Sequence, residues 1–263
     1  MNRPDLAVGD IDLWYTYIGD ATPQLLQQYY QLLDEQEKSR LARLRLERVR
    51  NEYLVTRALI RSVLSRYADV DPKAWSFSQS NHGKPIVKAP WAGYQSFNIS
   101  HSAGVVVCAV AAEGDLGIDI ESINRKTTGV PIARRFFSTH EVGTLVAAGP
   151  SRQQEVFIQI WTLKESYIKA VGHGLTIPLD SFFLAFRTDG PPQLYLSSAP
   201  DQPLNDWQFV QLRLGGQHHI ALATVGPIAR NLYLKVKQLV PLGESPIEKP
   251  TRYDLDNRWF VVD

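Results

Sequence analysis

The sequence predicts an α+β fold made of two similar halves. Three observations carry this. The order of elements, a strand, then a helical region, then further strands, is met once before Gly114 and again after it. The turn Glu113-Gly114-Asp115 separates the two runs. Between them lies no low-complexity stretch or short-period repeat that would point to a solenoid. The chain therefore divides into residues 1–113, residues 114–226, and an extension over 227–263 that holds Pro227, Pro241, Pro246 and Pro250.

In the first half, Asp10 to Tyr17 alternates polar and apolar residues and reads as a strand. Helix is expected from about 34 to 67, with a break near Leu46, because Leu41, Leu44, Val49, Tyr53, Leu54, Leu59, Ile60, Val63 and Leu64 recur at near-helical spacing without Gly or Pro. Asp71-Pro72 closes it, and Trp75 to Phe77 reads as a short strand. Ser96 to Ile99 and Val105 to Ala111 read as strands around a polar break, Ser100 to Gly104. In the second half, Leu116 to Ile120 is a strand. Ser138 and Glu141 have the form of a capping box that starts a helix. A stronger helix covers about Ser151 to Val171 and stops at Gly172-His173-Gly174. Strands follow over Phe182 to Phe186, Gln193 to Leu196, Trp207 to Leu214 and His219 to Val225, the last two joined by Gly215-Gly216. Leu232 to Val236 is the one strand expected in the extension.

Composition excludes several classes. With 44% hydrophobic and 21% charged residues the chain is neither disordered nor fibrous. A net charge of +1 argues against a nucleic-acid binder held by bulk electrostatics. The single cysteine, Cys108, excludes an internal disulfide and a thiolate metal cluster, and suits a reducing compartment. The start of the chain has no signal-peptide core, and the longest apolar run, Ala103 to Ala112, is about half a membrane span. A soluble cytoplasmic protein is expected.

Charge is nevertheless unevenly spread. From Lys38 to Arg66 there are nine basic residues and only two acidic ones, Glu47 and Glu52. Arg50, Arg57 and Arg61 share one helical stripe. Such a stripe suits a solvated helix face or a cradle for a polyanion.

The residues with most chemistry lie in the second half. In Gly117-Ile118-Asp119-Ile120-Glu121, strand alternation puts Asp119 and Glu121 on one face. Paired carboxylates with room for water suit Mg²⁺ or Mn²⁺, though a solvent-facing edge strand reads the same way. In Trp161-Thr162-Leu163-Lys164-Glu165-Ser166-Tyr167-Ile168-Lys169, Glu165 and Lys169 are neighbours on the helix, and Trp161 one turn earlier implies partial burial. If Glu165 faces the Asp119 strand, three carboxylates and an ammonium outline a phosphoryl-transfer site. Ser100, His101 and Lys84, held between Gly83 and Pro85, are further candidates for phosphate contacts. A serine-hydrolase elbow and a P-loop are both absent.

In order, Gly83-Lys84-Pro85, Phe97-Asn98-Ile99-Ser100-His101-Ser102, Gly117 to Glu121, Arg135-Phe136-Phe137-Ser138 with Glu141, and Trp161 to Ser166 with Lys169, Gly172 and Gly174-Leu175 resemble the Sfp-type 4'-phosphopantetheinyl transferases over roughly residues 10–225. The resemblance implies two α+β halves related by a pseudo-twofold axis, with coenzyme A in the cleft between them. It implies transfer of 4'-phosphopantetheine from coenzyme A to a serine of an apo acyl or peptidyl carrier protein by a monomeric enzyme. Asp119, Glu121 and Glu165 would hold Mg²⁺, Glu165 would be the base, and Lys169 would stabilise charge at the pyrophosphate. Lys84, Ser100, His101 and Lys164 would contact coenzyme A, with Lys38 and Arg48 the best matches on the 3'-phosphate side and Arg43, Arg45 or Arg50 as alternatives. Residues 122–137, including Arg134, Arg135 and Phe137, would meet the carrier. A metal-dependent phosphodiesterase or nuclease and a non-catalytic module binding coenzyme A or a carrier are the competing readings.

Overall fold

Alternation along β1 (Asp10–Tyr17) sets the layers of the molecule, seen here in a computed structural model. The structure describes residues 6–80, 83–93, 95–125, 129–187, 190–226, 232–243, 245–254 and 259–262. Trp14 faces a helical layer, whereas Ile11, Leu13 and Tyr15 face a second sheet. β5 (Val105–Ala111) behaves alike: Val106, Cys108 and Val110 join the helical side, and Val105, Val107 and Ala109 the other. A strand buried on both faces needs an uninterrupted apolar run, which is why Ala103 to Ala112 reads as one.

The helical layer comprises α1 (Pro23–Gln31), α2 (Glu35–Ala42) and α3 (Glu47–Tyr67). The expected break near Leu46 is present, since residues 43–46 separate α2 from α3. α1 lies ahead of the helix expected from about 34; its start is marked by Thr22, whose side chain accepts from the Leu25 amide, and by Pro23. A small hairpin, β2 (Phe77–Gln79) with β3 (Pro85–Val87), follows, and then β4 (Ser96–Ser102). The polar break expected over Ser100 to Gly104 narrows to the Ala103-Gly104 turn, because Ser100 to Ser102 continue β4 and pair with β5.

The second sheet starts with β6 (Asp115–Ser122). α4 (Gly129–Phe136), α5 (Thr139–Ala147) and α6 (Gln153–Val171) follow. Ser138 and Glu141 form the expected capping box on α5, and α6 ends at Gly172 in the left-handed conformation with φ 77°. A small sheet of β7 (Phe182–Ala185), β8 (Gln193–Leu196) and β9 (Ala199–Pro203) precedes β10 (Trp207–Leu214) and β11 (His218–Val225). α6 packs on the outer face of β11 through Leu163, Ile168 and Ala170, giving the order helix, sheet, sheet, helix.

The extension is more than the single strand expected from sequence. It supplies β12 (Tyr233–Gln238), β13 (Ile247–Lys249), β14 (Thr251–Asp254) and β15 (Trp259–Val262). The sheets run β13-β12-β1-β5-β4 and β14-β15-β10-β11-β6, so each gains a two-strand ribbon. β12 lies parallel to β1, and β15 parallel to β10. Parallel pairing arises here because both strands arrive by long connections, which a hairpin turn does not supply. Lys237 Nζ donates to buried Asp12 Oδ2 at 2.7 Å, and that oxygen also accepts from Tyr67 Oη at 2.5 Å. The extension is thereby locked into the first core.

Candidate active site

β4 and β6, the end strands of the two sheets, lie side by side and are joined through side chains. Asn98 Oδ1 accepts the Ile118 amide at 2.9 Å, Ser100 Oγ donates to Asp119 Oδ1 at 2.9 Å, and Ser102 Oγ donates to Glu121 Oε2 at 2.9 Å. Alternate residues of β4 therefore meet the face of β6 that carries both carboxylates. The edge position of β6 is as the solvent-facing reading required, but Asp119 is only 6% exposed.

α6 reaches this seam because Gly117 has no side chain. An added Cβ would fall 2.0 Å from the Ser166 carbonyl oxygen. The close crossing carries Lys169 to Asp119, where Nζ lies 2.6 Å from Oδ1 and 2.8 Å from Ser100 Oγ. Lys169 thus pairs across the elements rather than with Glu165 on its own helix. Asp119 Oδ2 is buried with no hydrogen-bond partner. Such an orphan acceptor is costly unless a donor or a cation completes it.

Burial, followed by the nearby charge of Asp119, raises the Glu165 carboxyl above its ordinary range. Burial likewise raises Glu121, against the opposing effect of the Ser102 hydrogen bond. Glu165 has no hydrogen-bond or ion-pair partner among the described residues. Among those residues no three metal-type ligands enclose an ion by themselves. Mg²⁺ asks for less than a closed cage: it keeps waters and takes one or two carboxylates plus substrate phosphates. The all-oxygen donor set and the open Asp119 Oδ2 fit that pattern.

A cleft of about 610 Å³ opens from these carboxylates, within the size range of cofactor sites. Asp119, Glu121, Lys169, Ser100, His101 and Lys84 all line it, and half-buried Glu165 stands beside them, near enough to feel the charges of Asp119, Lys169 and Glu121. Burial lowers the pKa of Lys84, whose Nζ donates to the Leu116 carbonyl at 3.4 Å. His101 Nδ1 lies 3.2 Å from Glu52 on α3. That helix presents Val49, Glu52, Tyr53, Thr56 and Ile60 to the cleft.

Four sequence expectations are corrected. Lys164 cannot contact a ligand in the cleft: it is fully buried, with Nζ 2.7 Å from Glu141 Oε2 and donating to the Phe182 carbonyl at 2.7 Å. Lys38 pairs with Glu35 at 2.8 Å and Arg48 lies exposed on the first turn of α3, so neither lines the cleft. The arginines lining the cleft are instead Arg40 and Arg57. Of the stripe Arg50, Arg57 and Arg61, the last is neither solvated nor free for an anion, since Glu37 Oε2 holds it at 2.6 Å. In the segment 122–137, Arg134 and Arg135 are exposed, but Phe137 is buried against Phe157 with ring centroids 5.4 Å apart, and Phe136 takes the surface. Lys126 to Thr128 lie outside the described residues.

Comparison with known proteins bears on this arrangement. Residues 115–223 match the family model of the 4'-phosphopantetheinyl transferase superfamily, and residues 20–113 match that of the 4'-phosphopantetheinyl transferase N-terminal region. The 4'-phosphopantetheinyl transferase HetI of Nostoc is 30% identical over 204 residues, covering 77% of this chain and 82% of that protein. The chain belongs to the 4'-phosphopantetheinyl transferase superfamily. Another member, 4'-phosphopantetheinyl transferase Sfp of Bacillus subtilis, is 41% identical over 138 residues, 52% of this chain. That match spans 59% of Sfp, as does the match to a second Bacillus subtilis transferase. A solved member, the holo-[acyl-carrier-protein] synthase of Thermotoga maritima, aligns at 20% identity over 42% of this chain and 62% of its own, with a TM-score of 0.34, too slight a likeness to weigh on the fold. Within the superfamily match fall both β6 carboxylates, Glu165 and Lys169; within the N-terminal match fall the cleft-lining arginines and Lys84.

Proposed function

We propose that this chain transfers 4'-phosphopantetheine from coenzyme A to a serine hydroxyl of an apo acyl or peptidyl carrier protein, releasing adenosine 3',5'-bisphosphate. The observation that carries the reading is the seam at Asp119: a buried carboxylate with one oxygen on Lys169 and the other unpartnered, at the end of a cleft walled by basic side chains.

Asp119, Glu121 and Glu165 would hold Mg²⁺ or Mn²⁺, which neutralises charge on the pyrophosphate when bound. Lys169 places its ammonium beside the same oxygens and favours the charge that grows on the departing phosphate. Ser100 Oγ, Lys84 and His101 bind and orient the phosphates along the cleft, with Arg40 and Arg57 toward its α3 end. Glu165 is the base that accepts the proton of the carrier serine, directly or through water, and burial, which raises its pKa above the ordinary carboxylate range, makes it a stronger base than a solvated carboxylate. The serine oxygen then forms its bond to the phosphopantetheine phosphorus as the bond to the leaving phosphate breaks. Arg134 and Arg135 on α4 present positive charge to an acidic carrier surface.

We further assign the protein to the cytoplasm as a monomer, without a nucleic-acid partner. No helix among the described residues is long and apolar enough to cross a membrane. The test is intact-mass spectrometry of an apo carrier protein incubated with the chain, coenzyme A and Mg²⁺. A carrier heavier by one phosphopantetheine, and unchanged when EDTA is present, is expected. No shift across fatty-acid, polyketide and peptide-synthetase carriers would overturn the reading.

A further inference from the structure

The carboxylates at the seam are balanced by two cations that are held in different ways. Lys169 belongs to the last turns of α6, is fixed by both Asp119 Oδ1 and Ser100 Oγ, and has a side chain only 28% exposed. Arg125 comes from the turn after β6. Its main chain is pinned on both sides: its amide donates to the Ser122 carbonyl at 3.1 Å, and its carbonyl accepts from Gln154 Nε2 on α6 at 2.6 Å. Its side chain is 47% exposed, and among the described residues its guanidinium pairs with Glu121 Oε1 alone. Glu121 Oε2 is meanwhile taken by Ser102 Oγ. Both oxygens of Glu121 are therefore occupied by groups of the chain itself.

A guanidinium and a divalent cation compete for one carboxylate oxygen, because two like charges at that distance repel and the guanidinium already offsets the charge that would attract the ion. Three carboxylates facing two cations also leave the seam short of positive charge, so an entering divalent ion is attracted while one tethered cation is expelled. Of the two, the exposed side chain on a fixed main chain is the one able to swing aside. We infer that Arg125 is an internal competitor for the metal at Glu121: its guanidinium holds the carboxylate when the metal is absent and is displaced when the metal binds. The inference rests on the metal-binding role proposed for Glu121 above. It makes Arg125 a positioning residue that sets the metal concentration at which the seam loads.

The test is Mn²⁺ binding to the whole chain, without coenzyme A and with it in excess, read from the free-ion signal in electron paramagnetic resonance against coenzyme A alone. Arg125→Gln should bind Mn²⁺ more tightly than the unaltered chain, by about threefold to tenfold, the range expected for losing one partly screened ion pair and its repulsion. Arg125→Lys, which keeps the charge, should stay close to the unaltered chain. In a Glu121→Gln background, Arg125→Gln should no longer tighten binding, because the contested oxygen has lost its charge. Measurable but equal affinities for the unaltered chain and Arg125→Gln would overturn the inference alone. Absence of Mn²⁺ binding in both at millimolar ion, with and without coenzyme A, would overturn the metal reading, and the inference with it. Matching circular dichroism spectra would show that the variants are folded.

Discussion

Gly117 and Ser166 approach so closely that the glycine α-hydrogen faces the serine carbonyl: a methyl there would lie 2.0 Å from Ser166 O and 2.3 Å from the Ala170 amide nitrogen. Both obstacles are helix backbone, so rotating a side chain does not relieve the clash. The glycine is what brings α6 against β6, and with it Lys169 against Asp119.

Gly117→Ala should therefore push α6 off the sheet. Overpacking typically costs about 1–3 kcal/mol, and a backbone obstacle places this substitution at or above the top of that range. Urea denaturation should report the loss, and phosphopantetheine transfer should fall with it. A variant as stable as the parent would show that the crossing is looser than described.

Lys164 and Glu141 form an ion pair with both side chains about 1% exposed. Glu141 also completes the α5 cap and accepts from the Leu184 amide at 3.3 Å. Lys164→Met should cost about 3–5 kcal/mol, as expected when one member of a buried pair is removed. Its effect on the KM for coenzyme A should be small in whatever fraction remains folded, since the side chain does not reach the cleft.

Lys237→Met should likewise cost about 3–5 kcal/mol, because it strands the carboxylate of Asp12 in the first core. Adding Asp12→Asn should recover part of the loss, as an amide buried beside Tyr67 is less costly than an unpaired charge. Chemical denaturation of the single and double variants measures this.

Arg40→Gln should raise the KM for coenzyme A by about tenfold with little change in kcat, as for a contact made equally in ground and transition states. Arg48→Gln should leave KM within about twofold. Steady-state kinetics with a fixed carrier protein separates the two, and the reverse ranking would move the phosphate contacts to the outer face of α3.

Glu165 gives a pH dependence whose sign depends on the metal. Its raised pKa means that the metal-free native state holds a proton that the unfolded chain releases near the ordinary value of 4.5. The stabilisation from that proton is complete below about pH 4.5 and is lost as pH rises through the raised value. In EDTA, Glu165→Gln should thus melt higher than the parent at pH 7, with the difference gone at pH 4. With Mg²⁺ present the order should reverse, because the ion needs the charged carboxylate. Thermal melts at both pH values check this.

Much of this arrangement is legible in the sequence, and the illegible parts share a cause. Asp119 and Glu121 are readable because a strand has only two faces, and the break near Leu46, the Ser138–Glu141 cap and the stop at Gly172 are local events with local signals. Lys164 is not, since it precedes Glu165 by one helical step and only the distant Glu141 turns it inward. Among nine basic residues, the choice of Arg40 and Arg57 over Lys38 and Arg48 is fixed by how α2 and α3 seat on the sheet. Leu41 and the buried Glu37–Arg61 pair set that seating, and spacing alone does not reveal it. Of the two parallel strands of the extension, β12 is readable as the run from Leu232 to Val236 whereas β15 has no turn to announce it, and Phe137 and Phe136 are told apart only by the stack on Phe157.

The pairing of β12 with β1 also bears on how the protein is made. Asp12 and Lys237 are separated by 225 residues. At ordinary ribosomal speeds, β1 emerges on the order of ten to forty seconds before the strand that will cover its flank. During that interval the nascent first sheet has a bare backbone edge and an unmatched Asp12, a state open to association with neighbouring chains or to capture by chaperones. Final closure of both sheets is therefore an event that follows synthesis of the catalytic half, and slow synthesis of the last strands would lengthen the vulnerable period.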